Sequence, residues 1–497
     1  MNDAQDLYHI LGVPSNASMD DIRNAYRSLA QRLHPDKNKA PGAAAQFRDV
    51  AAANDTLSDT DLRHKYDGLR RISPPKQYFT LRVTPSKRVL PVIDEAQVVY
   101  LLIELLPEKS RTAQNSQSHL NLTLVLDHSN SMKDEKRIDR TKNAALKILG
   151  DLTSDDYISV VAFNDFSEVL VAATKASEPA SLQGGIQAMQ PVGGTEIFRG
   201  LESGYKENVK NANPRFVNHI ILLTDGRTYG DELQCLQLAE KAAQEGIGIS
   251  AMGIGHEWND VFLDQLVSRS GGACEFISTP GQVIKFMDER VKTLGNSFAE
   301  RLTLSLVPDP DVKIESVFRL SPNPQPMPFD KDPIPLGQLA AMGSVSVIVQ
   351  LQVPAHQPSG PRGLLRVDVT SDILIEQALG HKTIADVQTA FEVSPADEEP
   401  PLLIVDALGK LTLYRMQEKA KEALSRGDVR EATRKLEVLA TRLLSAGHAE
   451  LAEAAKAEAA RVSKTQMFSE GGDKTLKFGT RLLLAASSND DAKDARS

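Results

Sequence analysis

Between residues 119 and 297 the apolar runs LNLTLVL, YISVVAF, HIILLT, GISAMGI and ACEFIS alternate with segments of helical period such as DELQCLQLAEKAAQ and VFLDQLVSR. A strand that is apolar on both faces has to be covered on both faces, and a helix between successive strands supplies the cover. The pattern therefore predicts a doubly wound α/β unit built on a parallel sheet. In such a sheet the carboxyl ends of the strands open onto one crevice, where ligands bind. The polar residues that interrupt the apolar runs at those ends carry the functional information.

Three ends stand out: LVLDHSNSM at 124–132, PVGGTEIF at 191–198 and ILLTDGR at 221–227. Covalent readings fail on pattern. No GxSxG nucleophile turn occurs, and no GxxxxGK[ST] phosphate loop. The second acidic position of a haloacid-dehalogenase-type site is Ser129. GIGISA at 246–251 precedes a strand instead of opening a helix, so it is no dinucleotide loop. What remains is an oxygen donor set, Asp127, Ser129, Ser131, Thr195 and Asp225, which favours Mg²⁺, Mn²⁺ or Ca²⁺ over zinc or copper. These five residues resemble the metal-ion-dependent adhesion site of the von Willebrand factor A domain, DxSxS…T…D, over roughly 119–297. The resemblance implies an intact site in which the hydroxyls hold Mg²⁺ directly and the aspartates act often through water. It also implies a protein ligand that offers an Asp or Glu carboxylate to the ion. The plainer alternative is that the hydroxyls only cap turns. His256 and Glu257 in GHEW lack the second histidine of HExxH and read as loop residues, and His128 reads as solvent-exposed.

Period-two segments flank this unit: YFTLRVTP and QVVYLLIEL before it, RLTLSLV, SVSVIVQLQV and LLRVDVT after it. They predict one β-sandwich formed by residues 78–118 and 298–396, with the α/β unit at 119–297 inserted between its strands. Residues 401–465 read as a helical hairpin or bundle, with SRGD at 425–428 combining a glycine stop and an aspartate start. The tail 486–497 reads as disordered.

Residues 5–70 read as short helices within a first domain expected at 1–71. In SMDDIRNAYRSLAQRL, Ser18 and Asp21 make a capping-box pattern, and Ile22, Ala25, Tyr26, Leu29 and Leu33 share one face. HPDKNK follows, then FRDVAAANDTLSD and DLRHKYD. Alone, HPD is a turn. In this order the segments resemble the J-domain of the DnaJ co-chaperones over its whole length. The resemblance implies a DnaK-type chaperone ATPase as partner, triggered by His34, Pro35 and Asp36. Arg23, Arg27, Arg32 and Lys37 supply a basic face that steers toward it. Asn54 departs from the pattern, standing at an expected core position where the family has a large aromatic. No Gly/Phe-rich linker or CxxCxGxG repeat follows, so client choice is expected to lie downstream.

The formal net charge of −9 argues against nucleic-acid binding. The longest apolar run, VVYLLI at 98–103, is too short to span a bilayer. The first residues lack a basic and apolar leader, and the two cysteines, Cys235 and Cys274, form no CxxC. A cytoplasmic, multidomain, non-enzymatic co-chaperone is expected, with a Mg²⁺-dependent A domain that binds a client or scaffold protein. The alternative is an adaptor whose A domain serves a separate AAA-type ATPase while the J-domain regulates assembly.

Overall fold

The computed structural model describes residues 6–72, 74–108, 118–177, 182–228, 230–469 and 471–494, with side chains as far as Leu484. They fall into two compact units, one of residues 1–116, 297–319 and 326–401, the other of residues 117–296, 320–325 and 402–497. Among the described residues no helix is long and apolar enough to cross a membrane.

The first unit begins with four helices, α1 (Leu7–Leu11), α2 (Met19–Leu33), α3 (Ala43–Leu57) and α4 (Thr60–Ile72). The capping box forms: the Asp21 amide donates to the Ser18 hydroxyl at 3.1 Å, and the Ser18 amide donates to the Asp21 carboxylate at 2.9 Å. Pro35 ends α2 by forcing His34 to ψ 127°, outside the helical region. Ile22, Leu29 and Leu33 of α2 pack against Val50, Ala53 and Leu57 of α3. Asn54, expected in the core, is only half-buried, because Val50, Ala53 and Leu57 take the inward stripe. Its side-chain oxygen instead accepts from the Ser58 hydroxyl at 2.8 Å.

After these helices come β1 (Phe79–Pro85), β2 (Val89–Pro91) and β3 (Gln97–Pro107). The inserted unit then contributes β4 (Leu120–Asp127), β5 (Tyr157–Phe163), β6 (Ser167–Lys175), β7 (Val217–Thr224), β8 (Ile247–Ile254) and β9 (Cys274–Ile277) in the order β6-β5-β4-β7-β8-β9. β4 and β7 are buried at every residue, as strands covered on both faces must be. The sheet differs from the all-parallel expectation at one edge, where β6 runs antiparallel to β5. Only Val171 and a few half-buried neighbours of β6 face the core, so it shows no continuous apolar run.

Seven further strands follow: β10 (Ser297–Pro308), β11 (Lys313–Ser321), β12 (Gln325–Pro326), β13 (Ile334–Ala340), β14 (Val345–Val353), β15 (Gly360–Ile373) and β16 (Ala378–Glu392). With the first flank they make two five-stranded sheets, β1-β3-β14-β11-β12 and β13-β10-β15-β16-β2. Register across the insertion is set by apolar pairs. Val345, Val347, Val349 and Leu351 stand opposite Leu105, Ile103, Leu101 and Val99. All eight are buried, and a one-residue slip would turn them outward.

The helical N-terminus rests on this sandwich through polar contacts. Arg32 pairs with Asp309 at 2.8 Å and Asp386 at 3.1 Å, and Lys382 bridges Asp49 at 2.6 Å and Asp368 at 2.8 Å. Asn38 donates to the Pro308 carbonyl at 2.8 Å, and the buried Arg366 donates to the Ile10 carbonyl.

In the second unit, helices Leu402–Ser425, Val429–Ser445, Ala449–Thr465 and Gly472–Asp494 follow the sandwich. The last was not expected. Lys477 pairs with Asp260 at 2.6 Å and Asp264 at 2.7 Å, Arg481 pairs with Asp264 at 2.7 Å, and Phe478 packs on Trp258 and Phe276. Burial alone would raise the Asp264 carboxyl, but the charges of Arg481 and Lys477 hold it well below the usual range. The helical backbone continues to Asp494, into the tail expected to be disordered. Ala486, Ala492 and Lys493 are good helix formers, and extending a nucleated helix is easy. Residues 495–497 lie outside the described residues.

His381 of β16 is 7 % exposed, with its ring edge-on to Tyr78 and Phe79 at centroid distances of 4.8 and 5.4 Å. Burial, with a smaller contribution from His9, pushes its imidazole down to about 4. The unfolded chain therefore takes up this proton first. The stability contributed is complete above about pH 6.5 and is lost as pH falls toward 4. Between pH 7.5 and 5, the loss of stability in urea unfolding should be about 2 kcal/mol larger in the wild type than in His381→Phe, the buried His219 contributing to both. An equal loss in both would show that this histidine is not held neutral.

Candidate metal centre and exposed His-Pro-Asp loop

β4 places Asp127 at its carboxyl end, where the strand leaves the sheet and the carboxylate is fully buried. One oxygen accepts from the Ser129 amide at 2.8 Å, the other from the Thr224 hydroxyl at 2.6 Å. β7, paired with β4, ends at Thr224 and delivers Asp225, also fully buried. The Ser131 hydroxyl donates to Asp225 at 2.7 Å and lies 3.0 Å from the Ser129 hydroxyl. Asp127, Ser129, Ser131 and Asp225 are thus one connected set.

Thr195 arrives on a third loop. That loop is tied to the first by the Val192 amide donating to the His128 carbonyl at 2.8 Å and the Asn130 amide donating to the Gly193 carbonyl at 3.0 Å. The Thr195 hydroxyl lies against Gly226, where an added Cβ would stand 2.8 Å from it, so the residue after Asp225 has to be small. All five residues singled out from the sequence meet at the crevice between β4 and β7. His128 is half-buried, its Nδ1 2.9 Å from the Gln190 carbonyl, so it helps to join the same two loops. His256 packs beside Phe276, while Glu257 is exposed.

Two buried carboxylates side by side are unfavourable. The Asp127 carboxyl is pushed up to about 6, first by burial and then by the charge of Asp225, against the opposing hydrogen bonds from Thr224 and Ser129. Asp225 has a compensating cation that sequence reasoning missed: Arg137 donates to its second oxygen at 2.8 Å. The available signal was a basic residue at the first position of a helix, where the dipole disfavours it. Thr224 was missed as well, although a hydroxyl ending the apolar run HIILLT was the clue.

Among the described residues no group of three or more His, Cys, Asp or Glu side chains could hold a metal. An ion here would rest on two carboxylates and three hydroxyls. That all-oxygen set fits a hard divalent cation and favours one over zinc or copper.

The second feature lies in the first unit. The His34 Nδ1 accepts from the Asp36 amide at 3.2 Å, and its ring stands edge-on to Phe47 at 5.4 Å. Lys39 donates to the Pro35 carbonyl at 2.8 Å, closing the turn. The His34 side chain is 45 % exposed and that of Asp36 87 %. Arg23, Arg27 and Lys37 are exposed alongside. Arg32 is not part of that basic face: its side chain is 18 % exposed and turned toward Asp309 and Asp386. Those partners are 277 and 354 residues away in sequence, beyond the reach of any local pattern.

Residues 6–67 match the DnaJ domain family, residues 121–289 the von Willebrand factor type A domain family, and residues 403–486 the Sll0103-like C-terminal alpha-helical domain. The Synechocystis protein sll0103 is 26 % identical over 380 residues, 73 % of this chain and 88 % of that protein. The N-terminal residues are 45 % identical over 74 residues to chaperone protein DnaJ of Methanosarcina acetivorans. They are 53 % identical over 62 residues to human DnaJ homolog subfamily B member 9. These matches span 19 % and 28 % of the two chaperone relatives, and 15 % and 12 % of this chain.

Among solved structures, a von Willebrand factor type A protein from Catenulispora acidiphila shares the fold with a TM-score of 0.65 at 17 % identity. It covers 82 % of this chain and 98 % of its own. The ArnB paralog VWA2 from Sulfolobus acidocaldarius reaches 0.54 at 17 % identity, covering 82 % and 99 %. That coverage exceeds the A domain alone, so the shared fold takes in more than the inserted unit. With an exposed His-Pro-Asp turn between packed helices in one unit and an oxygen-lined crevice on a doubly wound sheet in the other, the chain joins a DnaJ domain to a von Willebrand factor type A domain.

Proposed function

We propose that this protein is a cytoplasmic J-domain co-chaperone, without catalytic activity of its own, that stimulates a DnaK-type chaperone ATPase and selects its site of action through the A domain. The observation that carries the first half is the outward presentation of His34 and Asp36 beside Arg23, Arg27 and Lys37. The Nδ1 atom of His34 is engaged by its own loop, leaving the opposite ring edge and the Asp36 carboxylate to meet a partner. The three cations attract an acidic surface and speed encounter.

For the second half, Asp127, Ser129, Ser131, Thr195 and Asp225 would hold Mg²⁺, with Mn²⁺ or Ca²⁺ as substitutes. The bound ion would supply an electrophilic centre for an Asp or Glu carboxylate of a client or scaffold protein. The chain's own contribution is preorganisation. Ser129 and Ser131 are hydrogen-bonded to each other, Ser131 donates to Asp225, and the Ser129 amide and Thr224 hydroxyl fix Asp127. Among the described residues the two hydroxyls meet each other and Asp225 and no histidine, which favours a docking site over a nucleophile.

The two halves separate by experiment. His34→Gln should reduce stimulation of a DnaK-type ATPase to the basal rate in a single-turnover assay, leaving Mg²⁺-dependent retention of protein partners unchanged. Asp127→Ala, or EDTA, should abolish that retention and leave stimulation intact. Equal damage to both activities by both changes would defeat the modular scheme.

The two arginines of α2 should also part. Arg27→Ala should lower stimulation with no change in urea midpoint, since the side chain is exposed. Arg32→Ala leaves the buried Asp309 carboxylate without its arginine and should cost about 2–3 kcal/mol of stability. The reverse pattern would return Arg32 to the partner-binding face.

A further inference from the structure

Between Ser131 and the helix Arg137–Asp151 the backbone does something costly. Glu135 (φ 50°) and Lys136 (φ 59°) are consecutive left-handed residues, and neither is glycine or asparagine. Such conformations persist only where the surroundings impose them. Their effect is to direct Arg137, at the first helical position, back into the crevice. A cation there also faces the positive end of the helix dipole. Two local penalties are thus accepted for one placement.

The Arg137 guanidinium donates from Nη1 to Asp225 at 2.8 Å, and its side chain is 14 % exposed. Its Nη2 lies where Gly255, at φ +67°, leaves room: an added Cβ would stand 3.0 Å away. Its Nε is buried and, among the described residues, has no hydrogen-bond partner. Among the described residues Asp225 is its one carboxylate partner. The charge, more than a full hydrogen-bond complement, holds the side chain in place.

We propose that Arg137 is a resident cation of the crevice that lowers its affinity for the divalent ion and keeps the site assembled when no ion is bound. The inference rests on the metal reading above and adds the element that regulates it. Asp127 and Asp225 present two buried negative charges, and Arg137 cancels one of them at contact distance. In a poorly screened interior its repulsion of an incoming dication is strong. An ion less neutralised by the protein keeps more of its attraction for an external carboxylate. The arginine thereby trades resident affinity for partner affinity.

The test is calorimetric titration of the full-length chain with MgCl₂ alone, together with thermal unfolding in EDTA and in Mg²⁺. Arg137→Gln should bind Mg²⁺ at least about tenfold more tightly, melt lower than wild type in EDTA, and gain more from added Mg²⁺. Arg137→Lys, which keeps the charge, should stay within about threefold of wild type. If Arg137→Gln does not fold, the lysine variant carries the test, and a larger change in its affinity overturns the proposal. Unchanged or weaker Mg²⁺ binding by a folded Arg137→Gln would assign the arginine to orienting Asp225, and this inference would fall while the metal reading stands. If wild type and variants take up neither Mg²⁺ nor Mn²⁺, both fall.

Discussion

Burying Asp127 and Asp225 at the ends of neighbouring strands is the constraint around which the inserted unit is arranged. Each carboxylate loses its water, and each raises the cost of the other's charge. Every feature near the crevice answers to this. Thr224 and the Ser129 amide hydrogen-bond one carboxylate, while Ser131 and Arg137 hydrogen-bond the other. Gly226 is small so that Thr195 can close the third side. The parallel sheet supplies the geometry, because β4 and β7 end in register and aim both carboxylates at one place. An antiparallel pair would have sent them to opposite edges.

The J-domain is subject to a different constraint. It is not hung on a flexible tether but seated on the sandwich by buried or half-buried charges: Arg32 with Asp309 and Asp386, and Lys382 with Asp49 and Asp368. Val307 and Ile384 of the sandwich join its apolar core. The seat covers the end of α2 and leaves Arg23, Arg27 and Asp36 open. This seating reduces the orientations available to the His-Pro-Asp loop relative to the sandwich.

What the sequence made legible follows from the range of each interaction. The buried strands and the five oxygen donors are local patterns: a run of apolar residues, then hydroxyls and carboxylates where the run stops. The capping box at Ser18 and Asp21 is equally local and forms as read. Arg32 and Arg137 were misread or missed because their partners are 277 and 88 residues distant. β6 escaped notice as a half-exposed edge strand. The helix Gly472–Asp494 was missed because much of its buried face is Lys477, Thr480 and Arg481, which read as solvent-facing from composition alone.

That last case points to a shared design in both units. Where one module meets another inside a unit, buried or half-buried ion pairs accompany the apolar contacts: Lys477 and Arg481 with Asp260 and Asp264 in one, Arg32, Arg366 and Lys382 with their aspartates in the other. Buried pairs add little net stability over an apolar contact of the same size, since desolvation offsets most of the attraction. They do make mispairing expensive, because a shifted helix leaves a charge buried without a partner. Apolar faces would tolerate sliding by a turn; Lys477 displaced from Asp260 and Asp264 would not. Ion pairs therefore fix the seating of added modules on a fold whose cores are otherwise apolar. They also explain why the modules could be recognised separately in the sequence while the contacts joining them could not.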